Sequence, residues 1–339
     1  MKIVLSLFIL LFIVTVHEWG HFIAGRISGV RVYEFAIGFG PKLFSWFKNG
    51  TKFTIRLLPL GGFCSFDKDE TKNSEKEERL FEEFDDSKYT ALPDASFGKK
   101  MFIILNGIIM NFVLAYVLFF FIFTFIGTQS MTVDQIMPNS VAEKVEMMPG
   151  DEILKVNDRD VKNITEFTKD KDFLSEDGFK MTIKRNGEIE TIDIPSLKED
   201  GSFGVSFKLI KSPAKAFKEA ATTIWEMLEQ IFGVLKKIFV KVDDQMMGIV
   251  GFAGFMTKQE SINLLMVLLL IAGISVSVGA FNLLPIIPLD GGQAVIYIVE
   301  AIIGRPISEK TRTVISYIGM AFMLYLFVRV TYNDILRLR

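Results

Sequence analysis

Four long apolar runs punctuate the chain, beginning near Ile3, Ile103, Ile262 and Val314. Each approaches the length of about 20 residues that crosses a hydrocarbon core as a helix. Between the first two the pattern changes. Val30 to Phe66 is rich in β-formers and glycine, and Asn49-Gly50 between apolar stretches is a hairpin turn signal. The dense run EKEERLFEEFDD follows, which reads as a solvated loop or a short surface helix. Beyond Gly127 the chain becomes water-soluble, with strands such as EILKVN and a hairpin MTIKRNGEIETIDI turning at Asn186-Gly187. From Pro213 to Val242, apolar residues recur in alternating steps of four and three, starting at Phe217, Ala221, Ile224 and Leu228. Trp225, Phe232 and Phe239 widen that stripe, so an interfacial helix lying on a bilayer is favoured over one packed on its neighbours.

This pattern predicts a polytopic α-helical membrane protein with about four transmembrane helices, a membrane-associated β-hairpin sheet and an inserted β-rich domain. The expected segments are a first span over 1–29, the β region over 30–66, a charged loop over 67–98 and a second span over 99–127. The β-rich domain follows over 128–210, then an amphipathic helix with a bend at glycines 248, 251 and 254 over 211–258. A third span over 259–293 and a fourth with a tail over 311–339 complete the order. MKIVLSLFILLFIVTV is read as a retained span rather than a cleaved signal, because no small-x-small site follows and cleavage beyond it would discard both histidines.

Composition supports the membrane reading: half of the 339 residues are hydrophobic, with 33 Phe and 15 Met, and mean hydropathy is +0.35. A net charge of −2 supplies no basic field for nucleic acid. Cys64 is the single cysteine, which excludes an internal disulfide and a zinc ribbon. Imidazole chemistry is confined to His17 and His21.

Those two histidines form HEWGH, an HExxH pattern inside the first apolar run. Four residues advance a helix by about 400°, so both rings lie on one face and can share a metal ion, while Glu18 is displaced by about 100°. Zinc held there activates water, and Glu18 is placed to take its proton. Such groups in an apolar span carry an insertion penalty unless they have a function. A catalytic zinc ordinarily takes three protein ligands. With no third histidine, the candidates are Asp290, in the irregular NLLPIIPLDGG, and Glu300, in YIVEAII; the broken-helix context favours Asp290. Asn111 and Asn282 are polar groups in apolar surroundings, suited either to unpaired substrate peptide groups or to bonding between helices.

HEWGH together with NLLPIIPLDGG resembles the site-2 protease family of intramembrane zinc metalloproteases, and more narrowly its RseP-type members with a single PDZ domain. YEFAIGFGP and RLLPLGGF are similar to the family's membrane-reentrant hairpin, NGIIMNF to its second-span GPxxN motif, and the PGDEIL stretch to a PDZ turn. The motif's proline is Ile108 here, and Gln293 stands where a histidine is common. The resemblance implies His17, His21 and Asp290 as zinc ligands, Glu18 as base, Asn111 and Asn282 as substrate contacts, and Gly61, Gly62 and Phe63 on an edge that receives a substrate strand. It also implies cleavage within single-pass membrane proteins, such as anti-sigma factors trimmed by a site-1-type protease or remnant signal peptides. The expected location is a bacterial inner membrane, with the PDZ domain outside the cytoplasm. Two rivals remain at this level: a membrane-anchored zincin cutting outside the bilayer, and a non-catalytic PDZ adaptor with structural zinc.

Overall fold

The computed structural model describes residues 2–68, 75–82, 84–157, 159–161, 163–169, 178–196, 203–238, 248–259 and 261–338. Its first elements are α1 (Lys2–Ile27), β1 (Glu34–Lys48), β2 (Thr51–Ser65), α2 (Glu75–Glu82) and α3 (Phe97–Phe125). Next come β3 (Thr128–Ile136), α4 (Val141–Lys144), β4 (Glu152–Val156), β5 (Arg159–Asp160), α5 (Ile164–Lys169), β6 (Phe179–Arg185), β7 (Glu188–Ile194) and β8 (Val205–Ile210). The last are α6 (Pro213–Ile238), α7 (Ile249–Lys258), α8 (Leu264–Asn282), α9 (Asp290–Ile303) and α10 (Glu309–Leu338). Two compact units are formed, one from residues 1–119 with 221–339 and the other from 120–220.

In the first unit, α1, α3, α8 and α10 are long and apolar enough to cross a membrane. Less than a third of each is buried within the protein, so most of their apolar surface faces outward, as hydrocarbon solvent permits. The buried positions of α1 are Ser6, Ile9, Ile13, His17, Gly20, His21, Ala24 and Gly25, one helical stripe. Its upper half packs Ile9 and Ile13 against Phe252 and Met256 of α7. Asp334 of α10 ties α7 down: its carboxylate accepts from the N–H groups of Gly248 at 3.0 Å and Gly251 at 2.8 Å, a helix N-cap supplied from distant sequence.

β1 and β2 form an antiparallel hairpin about Asn49-Gly50, both at positive φ, as the sequence signal requires. The two strands are bent, so that Glu34–Ile37 lies opposite Gly62–Ser65 and also opposite Lys52–Ile55. Among the described pairings Gly62–Ser65 is matched on one side only. The outer part of the hairpin exposes Phe39, Leu43, Phe44, Leu57 and Leu58.

Three expectations need adjustment. The stretch assigned to one span over 259–293 is two helices, because Pro285 and Pro288 interrupt it; α8 ends at Asn282 and Asp290 opens α9. The glycine bend is instead the short helix α7, which absorbs Gly251 and Gly254. The fourth span and the tail expected after it are one continuous helix, α10, which begins at Glu309. The charged run contains α2, whose Phe81 is buried. The amphipathic helix is present as α6, with Phe217 and Trp225 exposed, while Phe239 and Val242 lie outside the described residues.

The second unit is a β-rich domain whose six-stranded sheet runs β7-β6-β4-β3-β8, with β5 on β4. Val133, Ile153, Val156, Met181 and Ile183 lie in its core. Asp151, buried beside that core, accepts two bonds from Arg185, at 2.8 and 2.7 Å, and one from the Met148 N–H at 2.9 Å. Burial pushes its carboxyl up, but the Arg185 and Met148 hydrogen bonds outweigh it and hold it below the usual range. A depressed folded-state value contributes stability above the unfolded pKa of about 3.9 and loses it as pH falls through the folded value. Arg185→Leu is therefore expected to destabilise this unit by on the order of 3 kcal/mol at neutral pH, with the loss shrinking below about pH 4. Limited proteolysis within residues 128–210 across pH reads that difference; an equal loss at all pH values would count against the ion pair as its cause.

Candidate metal centre

His17 and His21 meet Asp290 at the junction of α1, α3 and the start of α9. Asp290 Oδ2 lies 3.0 Å from His17 Nε2 and 3.3 Å from His21 Nε2, and the two Nε2 atoms are 3.3 Å apart. A tetrahedral ion bound at 2.0–2.1 Å requires ligand atoms about 3.3 Å from one another. The three atoms thus form one face of such a tetrahedron and leave the fourth vertex open. Two imidazole nitrogens and a carboxylate oxygen brought to contact in a largely buried place are the donor set of a zinc site, so the residues present fit a zinc ion.

The surrounding backbone explains how residues so far apart in sequence converge. Gly20 of α1 lies against α3, where a Cβ would come within 2.4 Å of the Asn106 carbonyl, and Asn106 Nδ2 donates to Gly20 O at 2.7 Å. At Gly107, facing the histidines, a Cβ would stand 2.4 Å from His21 Nε2 and 3.0 Å from His17 Cε1. Asp290 is seated by the next two residues. A Cβ on Gly291 or Gly292 would strike backbone of Leu283 or Ile286, so α9 begins folded tightly under the Leu283–Leu289 segment. That segment in turn rests on Gly319 of α10, where the Ile287 carbonyl leaves no room for a side chain.

Both histidines are held from behind. His21 Nδ1 donates to Ile103 O at 2.9 Å, which leaves its Nε2 lone pair turned toward Asp290, and His17 Nδ1 lies 3.2 Å from the amide of the buried Asn111. Glu18, one residue along α1, lies beside β2, where a Cβ on Gly62 would approach its Cγ to 3.7 Å and the Cys64 backbone is its neighbour. The carboxylate is thereby placed between the histidines and the sheet edge.

Other candidates are placed as follows. Glu300 accepts from Ile307 N at 3.0 Å and pairs with Arg312 at 2.7 Å, an arrangement that braces the turn between α9 and α10. Asn282 donates to Val278 O within its own helix. Gly61 has positive φ, Phe63 stacks on Phe39, and Gly62 and Phe63 pair with Ile37 and Ala36 in the hairpin. Gly107 entered the sequence reading only within NGIIMNF, with no role of its own, and Gly319 escaped it. The only signal at Gly319 was glycine within a long apolar helix.

The profile of peptidase family M50 matches residues 5–326. Similar chains include proteins named "putative zinc metalloprotease" in three bacteria. One from Rhizobium meliloti is 30% identical, with 97% of this chain and 95% of that protein covered. One from Campylobacter jejuni is 31% identical (98% and 93% covered), and one from Clostridium perfringens 30% identical (99% of each).

Proposed function

Because the chain belongs to peptidase family M50 and is thereby a zinc metalloprotease with membrane helices, we propose that it hydrolyses peptide bonds within the transmembrane segments of other proteins. The observation that supports this is where the histidines sit along α1: His17 lies ten residues before its Ile27 end, about 15 Å along a helix apolar enough to span. That is roughly half of a hydrocarbon core about 30 Å thick.

In this reading His17, His21 and Asp290 hold the zinc through Nε2, Nε2 and Oδ2. A zinc ion held there would supply Lewis-acid polarisation of a carbonyl oxygen and lower the pKa of water. Glu18, beside the Cys64 backbone, takes the proton of the attacking water and returns it to the departing amine. A helical substrate hides its carbonyls in internal hydrogen bonds, so a segment must be unwound before it is cut. The one-sided Gly62–Ser65 edge, adjoining Glu18, offers backbone groups to which an extended segment can add as a strand. Gly62 and Phe63 belong to that edge and Gly61 precedes it as a further contact for the added strand, and Asn282, the last residue of α8, is a further substrate contact. The β-rich domain is read as a PDZ domain outside the cytoplasm of a bacterial inner membrane. The substrates are single-pass proteins, anti-sigma factors already trimmed by a site-1-type protease or remnant signal peptides.

The test uses purified protein in liposomes with a single-pass substrate, its cleavage points mapped by mass spectrometry. Cuts inside the apolar span are expected; cuts confined to flanking residues would favour a zincin acting outside the bilayer. Zinc content separates the ligands: Asp290→Ala should lose the ion and Glu300→Ala should keep it. Retention by the Asp290 variant would remove Asp290 from the set.

A further inference from the structure

Asn111 lies in α3 with no exposed surface, and its backbone carbonyl accepts from Ser275 Oγ of α8 at 2.9 Å, which fixes where its side chain begins. Its amide meets His17 Nδ1 at 3.2 Å. As placed, Nδ2 faces the ring, and Oδ1 is buried with no hydrogen-bond partner among the described residues. A half-turn of the amide exchanges the two ends at no cost in shape.

A zinc-binding imidazole offers one nitrogen as a lone pair and carries its proton on the other, which needs an acceptor. His21 has Ile103 O for this purpose. For His17 the group in place, among the described residues, is Asn111. We propose that Asn111 is a positioning residue of the zinc centre: with Oδ1 turned to His17, it accepts the Nδ1–H and holds the tautomer and ring angle that aim Nε2 at the metal. This rests on the ligand set proposed above, and it gives Asn111 a different part from the substrate contact that resemblance implied. The buried contact of its amide with His17 Nδ1 and the matching arrangement at His21 carry it.

Zinc affinity of the full chain in detergent, measured by competition with a chromophoric chelator, tests the proposal. Asn111→Leu should weaken zinc by about 10- to 100-fold. Asn111→Asp keeps an acceptor oxygen at the same reach and should remain within about threefold of wild type, a rescue that generic helix packing does not provide. Asn111→Ala, which adds no bulk, replaces the Leu variant should that fail to fold. Cobalt-loaded protein gives a second reading: tetrahedral visible bands should persist with Asp and be altered with Leu. Wild-type zinc affinity in the Leu or Ala variant, or an Asp variant no tighter than Leu, overturns the proposal. A His17→Ala variant with undiminished zinc affinity would instead overturn the ligand set, so the two failures are distinguishable.

Discussion

Glu18→Gln is expected to lower kcat by about 10²- to 10⁴-fold while bound zinc stays at the wild-type level. Gln preserves the shape of Glu and fits the same space beside Gly62 and the Cys64 backbone, so the local structure should hold. What is removed is the capacity to take a proton at that oxygen. The three proposed ligating atoms belong to other residues, 3.0 to 3.3 Å apart, and are untouched by the change. Loss in kcat with little change in KM is the signature of a group acting in the transition state rather than in binding. Parallel loss of zinc and turnover would show that Glu18 supports the metal instead. Unchanged turnover would show that another group serves as base.

Much of the site was legible because its chemistry is expensive where it sits. Histidines and a glutamate in an apolar run, four residues apart, point to one helical face and one ion before any fold is known. Asp290 was legible from prolines and glycines that a continuous span could not accommodate, although those same residues concealed a helix: D-G-G reads as a turn, yet Gly291 and Gly292 are the first turn of α9. The hairpin at Asn49-Gly50 was readable, but the bend that sets Glu34–Ile37 beside two partners was not, since it depends on pairings between residues distant in sequence. Long-range packing also hid the roles of Gly20, Gly107 and Gly319. A glycine's function there is the atom that approaches it, and sequence carries no record of that atom.

Gly107→Ala is accordingly expected to abolish zinc binding in practice, weakening it by at least about 100-fold, through a single added methyl. Within a helix this substitution ordinarily favours folding by roughly 1 kcal/mol, because alanine restricts the unfolded chain and suits helical geometry. At this position the new Cβ falls 2.4 Å from His21 Nε2 and 2.5 Å from its Cε1, closer than bonded partners aside any two such atoms approach. The imidazole must rotate or α3 must withdraw from α1. Rotation breaks the Nδ1 bond to Ile103 O and turns Nε2 away from Asp290; withdrawal separates Asn106 from Gly20 and Asn111 from His17. Either response leaves fewer than three aligned ligands. Gly98→Ala, in the same helix with nothing within 4 Å of its would-be Cβ, serves as the control and should keep zinc and activity. Zinc stoichiometry of both variants, measured beside their thermal stability, decides the matter. Wild-type zinc affinity in Gly107→Ala would mean that the α1–α3 contact is looser than this geometry requires, and the ligand triangle would then need another means of being held at 3.0 to 3.3 Å.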